Sequence, residues 1–292
     1  VLLRCSKGGT AHGEELLRVA DTLAAARRLR RQVDDPELRP LCSDLFSAVA
    51  TLPELEQRLK FSLEEGGRVA DRASAALAGL RQQWQSLRQQ RRDRLQDVLR
   101  RWSAQLQDTV IAERHGRPVL AVKAGAIGHC KGMVHDSSAS GSTVFVEPQS
   151  VIYLGNRLAD QEGRIREEEQ RVLAELSAAV AEQVESLLRL TEVLLLLDLS
   201  LARARYGQWL GGVPPQLEAD PQAVFRLEQL RHPLLVWQEK REQGTPVVPI
   251  SITVSDQLRV VAITGPNTGG KTVTLKSIGL AALMARAGLW VP

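Results

Sequence analysis

Apolar residues return every three or four positions through most of the chain, which predicts a largely helical protein. Leu16, Leu17, Ala20, Leu23, Ala24 and Leu29 predict a helix over Glu14 to Val33, ended by Asp34-Asp35-Pro36. Leu41, Leu45, Phe46 and Val49 predict a shorter one. Pro53 suits the first turn of another, carrying Leu55, Leu59 and Phe61. From Glu64 to Arg114 there is no proline. Leu77, Leu80, Trp84 and Leu87, then Leu95, Val98, Trp102, Leu106 and Val110, keep one stripe. A helix over that whole stretch would be about 75 Å long, an arm rather than a compact-domain helix.

The period then changes. Pro118 to Lys123, Met133-Val134-His135 and Thr143 to Val146 read as short strands, with turn chemistry over Asp136 to Gly141. Helical spacing resumes through Leu154, Leu158, Ile165, Val172, Leu176, Val180, Val184 and Leu187, and runs to about Tyr206. A long helix out, a β tip and a long helix back should lie antiparallel. Leu194 to Leu197 with Leu199 and Leu201 is a broad apolar face, expected to be buried against a globular body.

Gly211-Gly212-Val213-Pro214-Pro215 marks a linker. Beyond it Val224 to Leu227, Leu230 to Trp237 and Pro246 to Val254 read as short strands. Arg259 to Thr264 reads as a buried strand, and Lys271 to Ala287 as a helix ended by Gly288. The expected divisions are 1–113, 114–150, 151–212 and 213–292.

Composition narrows the class. With 43% hydrophobic and 25% charged residues the chain is not disordered, and 4% aromatics suits helices better than a sheet-rich core. The net charge of +4 is compatible with nucleic acid without demanding it. Cys5, Cys42 and Cys130 lack metal spacing and read as free thiols of a reducing cytosol. The longest leucine run is cut by Asp198, far short of the about 20 apolar residues of a membrane span. There is no signal-peptide layout, no initiator Met, and an abrupt end at Trp290-Val291-Pro292, so both ends are expected to be cuts through a larger, cytoplasmic protein.

One motif carries chemistry. Gly265-Pro266-Asn267-Thr268-Gly269-Gly270-Lys271-Thr272 fits the P-loop pattern, with a strand expected before it and a helix after. Its glycines let backbone N–H groups wrap around phosphates, and the helix N-terminus favours their charge. Lys271 would place a cation near the β- and γ-phosphates of a nucleoside triphosphate, and the Thr272 hydroxyl would coordinate Mg²⁺. The fold class is therefore mainly α: a long antiparallel helical arm with a small β tip, followed by the N-terminal part of an α/β P-loop ATPase domain. His115, His129 and His135 show no metal-site spacing and read as surface or hydrogen-bonded histidines. His232-Pro233 reads as a strand end. The hydroxyl run from Asp136 to Thr143 could position phosphates or only build turns.

The P-loop with its following Val273-Thr274-Leu275-Lys276, and Leu230-Arg231-His232-Pro233-Leu234-Leu235 before it, resemble the MutS family of ATPases. The run Lys131-Gly132-Met133-Val134-His135-Asp136-Ser137-Ser138-Ala139-Ser140-Gly141-Ser142-Thr143-Val144-Phe145-Val146-Glu147-Pro148 resembles the second bacterial paralogue branch, linked to recombination suppression and stalled ribosomes. The resemblance covers essentially the whole chain. It implies core and lever helices, a β clamp, and a homodimer joined through ATPase parts beyond residue 292 that encircles branched or duplex DNA, or ribosomal RNA. It also implies ATPase and endonuclease activity in the full-length protein. Phe145-Val146-Glu147 spells the Phe-x-Glu of mismatch sensors by accident; here Phe145 should pack the clamp and Glu147-Pro148 should start the return helix.

No catalytic residue is assigned within the chain. An acidic Walker B strand is missing, so little ATP turnover is expected of it alone. Lys123, Lys131, Arg114 and Arg117 are the candidate nucleic-acid contacts, through phosphates rather than base edges. Two other readings of the pattern exist. An SMC-type repair ATPase is disfavoured because its coil follows the P-loop. A non-catalytic clamp or RNA-binding arm, with nucleotide as a switch, stays open.

Overall fold

The computed structural model describes residues 1–33, 35–47, 49, 51–220, 223–242, 244–255, 257–266 and 270–292. Two compact units divide the chain, Val1–Leu190 and Thr191–Pro292.

The first unit opens with α1 (Leu2–Ser6), α2 (Gly13–Val33), α3 (Pro40–Ser47) and α4 (Pro53–Ser62), the last with its proline in the first turn as expected. Leu16, Ala20, Leu23 and Ala24 of α2 are buried, as are Leu55 and Leu59 of α4. Arg27 of α2 donates two hydrogen bonds of 3.0 Å to the buried Glu56 of α4, and this pairing holds the Glu56 carboxyl below its ordinary range.

The long prediction over Glu64 to Arg114 is corrected at both ends. Two 3₁₀ turns, Glu65–Gly67 and Asp71–Ala73, precede α5 (Ala75–Arg101). Gly66 and Gly67 have φ of 76° and 78°, which breaks helical propagation. Gly67 is also pressed on α2: its carbonyl oxygen is 1.8 Å from where a Cβ on Gly13 would stand. At the other end, Leu106 and Val110 belong to a strand, β1 (Leu106–Arg114), where Thr109-Val110-Ile111 is a β-branched run that favours extended backbone. The helix therefore has 27 residues and is about 40 Å long.

β1 turns back through His115 and Gly116, with φ of 51° and 74°, into β2 (Arg117–Lys123), the two-residue hairpin geometry that matches strand twist. After a 3₁₀ turn come β3 (Gly132–Ser137) and β4 (Thr143–Pro148), giving an antiparallel sheet in the order β1-β2-β4-β3. Leu120 pairs with Val146 and Val122 with Val144, so alternate residues form one face. That face packs with Val98, Leu106 and Cys130, flanked by Leu99, Trp102 and Ala126.

Glu147 and Pro148 lead into α6 (Gln149–Glu182), as read from the sequence. It runs antiparallel to α5, because contacts climb one helix as they descend the other. Ser74 bonds Glu168, Gln161 Nε2 donates to the Leu80 carbonyl at 3.0 Å, and the tip sheet joins the far ends. α7 (Val184–Leu210) follows after the single residue Gln183. Its leucine face is not buried as expected: Leu195, Leu196, Leu199 and Leu201 are exposed.

In the second unit, β5 (Phe225–Leu230) pairs with β6 (Ile250–Val254). Between them Leu230 to Trp237 is not a strand. Pro233 opens α8 (Pro233–Arg241), and His232 caps it by accepting the Leu234 N–H at Nδ1, 3.3 Å away. A short apolar run cannot by itself separate buried strand from helix. α9 (Lys271–Arg286) ends before Gly288 as predicted. The core gathers Leu210, Val236 and Met284 with Trp209, Val247, Leu280, Leu289 and Val291. Residues 259–264 form no strand, and Val260 is 80% exposed. A buried strand needs hydrogen-bonded neighbours on its edges, and among the described residues β5 and β6 pair only with each other.

Candidate nucleotide and nucleic-acid sites

Of the glycine loop, Asn267, Thr268 and Gly269 lie outside the described residues. Its two ends are defined. Gly265 has φ of 152° and Gly270 of 76°, conformations open to glycine and costly for other residues. Gly270 is the N-cap of α9, and its carbonyl accepts the Thr274 N–H at 2.9 Å. Lys271 Nζ donates to the Gly265 carbonyl at 2.6 Å, so the first residue of α9 is tied to the first residue of the loop. Pro266 and Thr272 are exposed, leaving the Thr272 hydroxyl accessible. The strand expected before the loop is absent; the helix after it is present.

A cavity of about 590 Å³ opens beside this helix start. Gly270, Val273, Thr274 and Ser277 line one side, and His232, Leu235, Gln238 and Glu239 another. Glu239 also accepts the Val247 N–H at 3.1 Å, pinning the Gly244 to Val248 wall. Sequence reading assigned His232 to a strand end and missed this wall. The proline-capped helix start was its only signal.

The tip candidates separate into two kinds. Lys123 and Lys131 are exposed; Lys123 Nζ donates to the Ala104 carbonyl at 3.3 Å, and Lys131 makes no ion pair among the described residues. Arg114 is half-buried, lying 4.2 Å from the Phe145 ring centroid and 3.4 Å from the Asp136 carboxylate. Arg117 is committed inward. Its Nη2 donates to Asn156 Oδ1 at 2.8 Å, and its Nη1 lies 3.5 Å from Glu147 Oε1. Its charge answers a carboxylate that is 1% exposed, because burying a charge is tolerable only when it is paired. His135 Nε2 lies 2.8 Å from the other Glu147 oxygen, so this histidine is a hydrogen-bonded one. The Phe-x-Glu of this strand thus packs and pairs within the tip.

The hydroxyl run builds a turn. Ser138 accepts the Gly141 N–H at 2.8 Å on its carbonyl, and its Oγ accepts the Thr143 N–H at 3.1 Å. No group of three or more metal-binding side chains occurs among the described residues, and Cys130 is a core thiol whose burial pushes its pKa up. No helix among them is long and apolar enough to cross a membrane.

No protein-family model matches the chain. Relatives named Endonuclease MutS2 match it from end to end. The protein of Synechocystis sp. (strain ATCC 27184 / PCC 6803 / Kazusa) is 48% identical over 292 residues, all of this chain and 36% of that protein. That of Geobacillus sp. (strain WCH70) is 40% identical over 299 residues, covering 37% of it. That of Pelotomaculum thermopropionicum is 42% identical over 294 residues, covering 36% of it. The chain spans little more than a third of the length of these relatives.

Proposed function

We propose that this chain, similar along its whole length to the MutS2 branch of the MutS family, is the arm, clamp and nucleotide-cradle stretch of an ATP-dependent nucleic-acid clamp. The tie between Lys271 and the Gly265 carbonyl carries this reading. It closes the first residue of the loop onto the N-terminus of a 16-residue helix, where a cation and the left-handed glycine Gly270 already stand, the arrangement that favours a phosphate chain. The residues present fit ATP with Mg²⁺. Gly265, Pro266, Gly270 and Lys271, with Asn267, Thr268 and Gly269 between them, would hold the phosphates. Thr272 would hold the metal, which supplies charge neutralisation on the β- and γ-phosphates. The cavity beside Gly270 would take the rest of the nucleotide.

Lys123 and Lys131 would meet phosphates at the tip, with Arg114 beside them; Arg117 instead holds the tip together. Contacts of this kind track a backbone without reading bases, so branched DNA, duplex DNA and ribosomal RNA are all targets of the right chemistry. Endonuclease activity, carried in the relatives' name, and dimer formation would belong to the whole protein.

Calorimetric titration of the chain with a non-hydrolysable ATP analogue and Mg²⁺ tests the cradle. Lys271→Ala should abolish most of the affinity. Binding unchanged in that variant removes the cradle assignment.

A further inference from the structure

Basic residues gather on the arm as well as on its tip. α5 carries seven arginines against two aspartates. Arg81, Trp84, Arg88 and Arg92 recur at intervals of three and four, which places them on one flank of the helix. Arg88 and Arg92 are exposed and form no ion pair among the described residues. Across the groove, the exposed Arg166 of α6 likewise has no carboxylate partner among them. An open cavity of about 360 Å³ lies between these helices, lined by Arg68, Arg81, Trp84, Gln85, Ile165 and Arg166, with Glu162 beside them.

The fixed parts of this groove are structural. Arg81 bridges Asp71 and Glu169, which neutralise it. Trp84 Nε1 donates to Glu162 at 3.0 Å, so the indole is held in one orientation, half-buried beside Ile165. The Arg88 guanidinium lies 5.2 Å from the indole centroid, within cation–π range. The result is an aromatic surface in a concavity: Arg68 in its wall is paired with Glu64, while Arg166 in the wall and Arg88 and Arg92 on the flank of α5 carry charge that no carboxylate answers among the described residues.

We propose that this groove binds single-stranded nucleic acid: an unstacked base lies on Trp84, and the flanking phosphates meet Arg166, Arg88 and Arg92. The indole decides between strands. Duplex offers phosphates but keeps its bases stacked inside, so it has no use for a recessed aromatic surface; an unpaired base has an exposed π-face that stacks on one. Charge decides the polarity, since three unpaired guanidiniums favour a polyanion, and arginine also stacks on base planes. Volume decides the scale: about 360 Å³ suits one nucleotide rather than a folded partner. The proposal rests on the nucleic-acid clamp reading for its context but on different residues, so each can fail alone.

The experiment is fluorescence anisotropy of the 292-residue chain with a labelled oligo-dT, a blunt duplex of equal length and a poly-glutamate peptide, across a salt series. The variants are Trp84→Leu, Trp84→Phe, the triple Arg88→Gln, Arg92→Gln, Arg166→Gln, and the tip pair Lys123→Ala, Lys131→Ala. Circular dichroism confirms that each is folded. Trp84→Leu should weaken oligo-dT about tenfold while Trp84→Phe retains binding, because the ring and not the hydrogen bond supplies the stacking. The arginine triple should flatten the oligo-dT salt slope by about 2, from about 0.7 per phosphate on single strands. Duplex binding should respond to the tip pair and not to Trp84→Leu. If oligo-dT affinity and salt slope are the same in wild type, Trp84→Leu and the arginine triple, the groove proposal is overturned. It is equally overturned if poly-glutamate binds as tightly as oligo-dT. If the tip pair alone changes nothing, the clamp contact falls and the groove stands.

Discussion

Arg117 and Glu147 face each other at 3.5 Å with unequal access to water: the arginine side chain is 33% exposed and the glutamate side chain 2%. One comes from β2 and the other from the end of β4, and Asn156 of α6 accepts the second arm of the guanidinium. The tip sheet is thereby fastened to the returning helix by a carboxylate that depends on its partners. Arg117, offered by sequence as a contact for nucleic acid, serves this joint.

The asymmetry predicts unequal losses. Arg117→Gln leaves a buried carboxylate without its cation, the situation that costs about 3–5 kcal/mol when a buried pair is broken from one side. Glu147→Gln leaves the charge on the partner that still reaches water, and should cost about 1–2 kcal/mol. Urea denaturation of both variants measures the order. Equal midpoints would mean that the carboxylate is not the vulnerable member.

Two glycines of α6 separate steric from conformational effects. A Cβ on Gly155 would lie 2.6 Å from Arg117 Nη1, whereas one on Gly163 would meet nothing within 4 Å. Alanine in place of a helical glycine gains about 1 kcal/mol where there is room. Gly163→Ala should therefore stabilise. Gly155→Ala should destabilise by about 2 kcal/mol or more, since the displaced guanidinium uncovers Glu147. The same substitution in the same helix should move the urea midpoint in opposite directions.

The seam between α5 and α6 should be sensitive to acid. Arg171, and then Ser74, hold the Glu168 carboxyl down at about 2. Ser74 is also the N-cap of α5, accepting the Leu77 N–H at 3.3 Å. A carboxyl lowered in the folded state adds stability above its unfolded value of about 4.3, and loses it as pH falls toward the folded value. The urea midpoints of wild type and Arg171→Gln should thus differ by a small constant amount at pH 5 to 8, solvent screening keeping it small, and converge toward pH 2. A gap that widens on acidification would contradict the assignment. Ser74→Ala should lose about 1 kcal/mol through the cap alone.

The arm was legible because its periodic runs are long. Eight apolar positions at helical spacing from Leu154 to Leu187 leave no competing reading, and α6 covers most of that span. The errors fell where few residues carry the signal. Leu106 and Val110 continue the stripe of α5 by spacing, yet Thr109-Val110-Ile111 prefers a strand and pairs with β2. Leu230 to Trp237 is too short for periodicity to arbitrate, and Pro233, in the first turn, decides it as the start of α8. The leucines of α7 and residues 259–264 failed for another reason: their pattern states that they suit burial, but burial needs a partner surface, and that is a tertiary fact. The P-loop was legible as a motif. Its cavity was not, because Glu239 and the residues from Gly244 to Val248 become neighbours of Gly270 only through the fold.

The closure of the second unit rests on Gly207 and Trp290. A Cβ on Gly207 of α7 would lie 2.6 Å from Trp290 Cγ and Cδ2 and 2.8 Å from its Cβ. A rotamer change could swing the ring atoms aside, but the Cβ is fixed by the backbone and stays in the way. Nor can the backbone of Trp290 yield easily. Val291 exchanges hydrogen bonds of 2.9 and 3.0 Å with Val213, the Arg231 N–H donates to the Pro292 carbonyl at 3.0 Å, and Leu289 and Val291 lie in the core with Leu210 and Met284. Gly207→Ala must therefore displace a pinned aromatic residue, and overpacking of this kind costs about 1–3 kcal/mol, more than the about 1 kcal/mol that alanine gains in a helix. Gly279 of α9 provides the comparison, with nothing within 4 Å of its added Cβ. Hydrogen exchange read on α8 and α9 should show faster opening in Gly207→Ala and slower opening in Gly279→Ala, while α2 and α4 of the first unit keep their protection. Faster exchange in Gly279→Ala, or unchanged exchange in Gly207→Ala, would show that Trp290 does not close this unit.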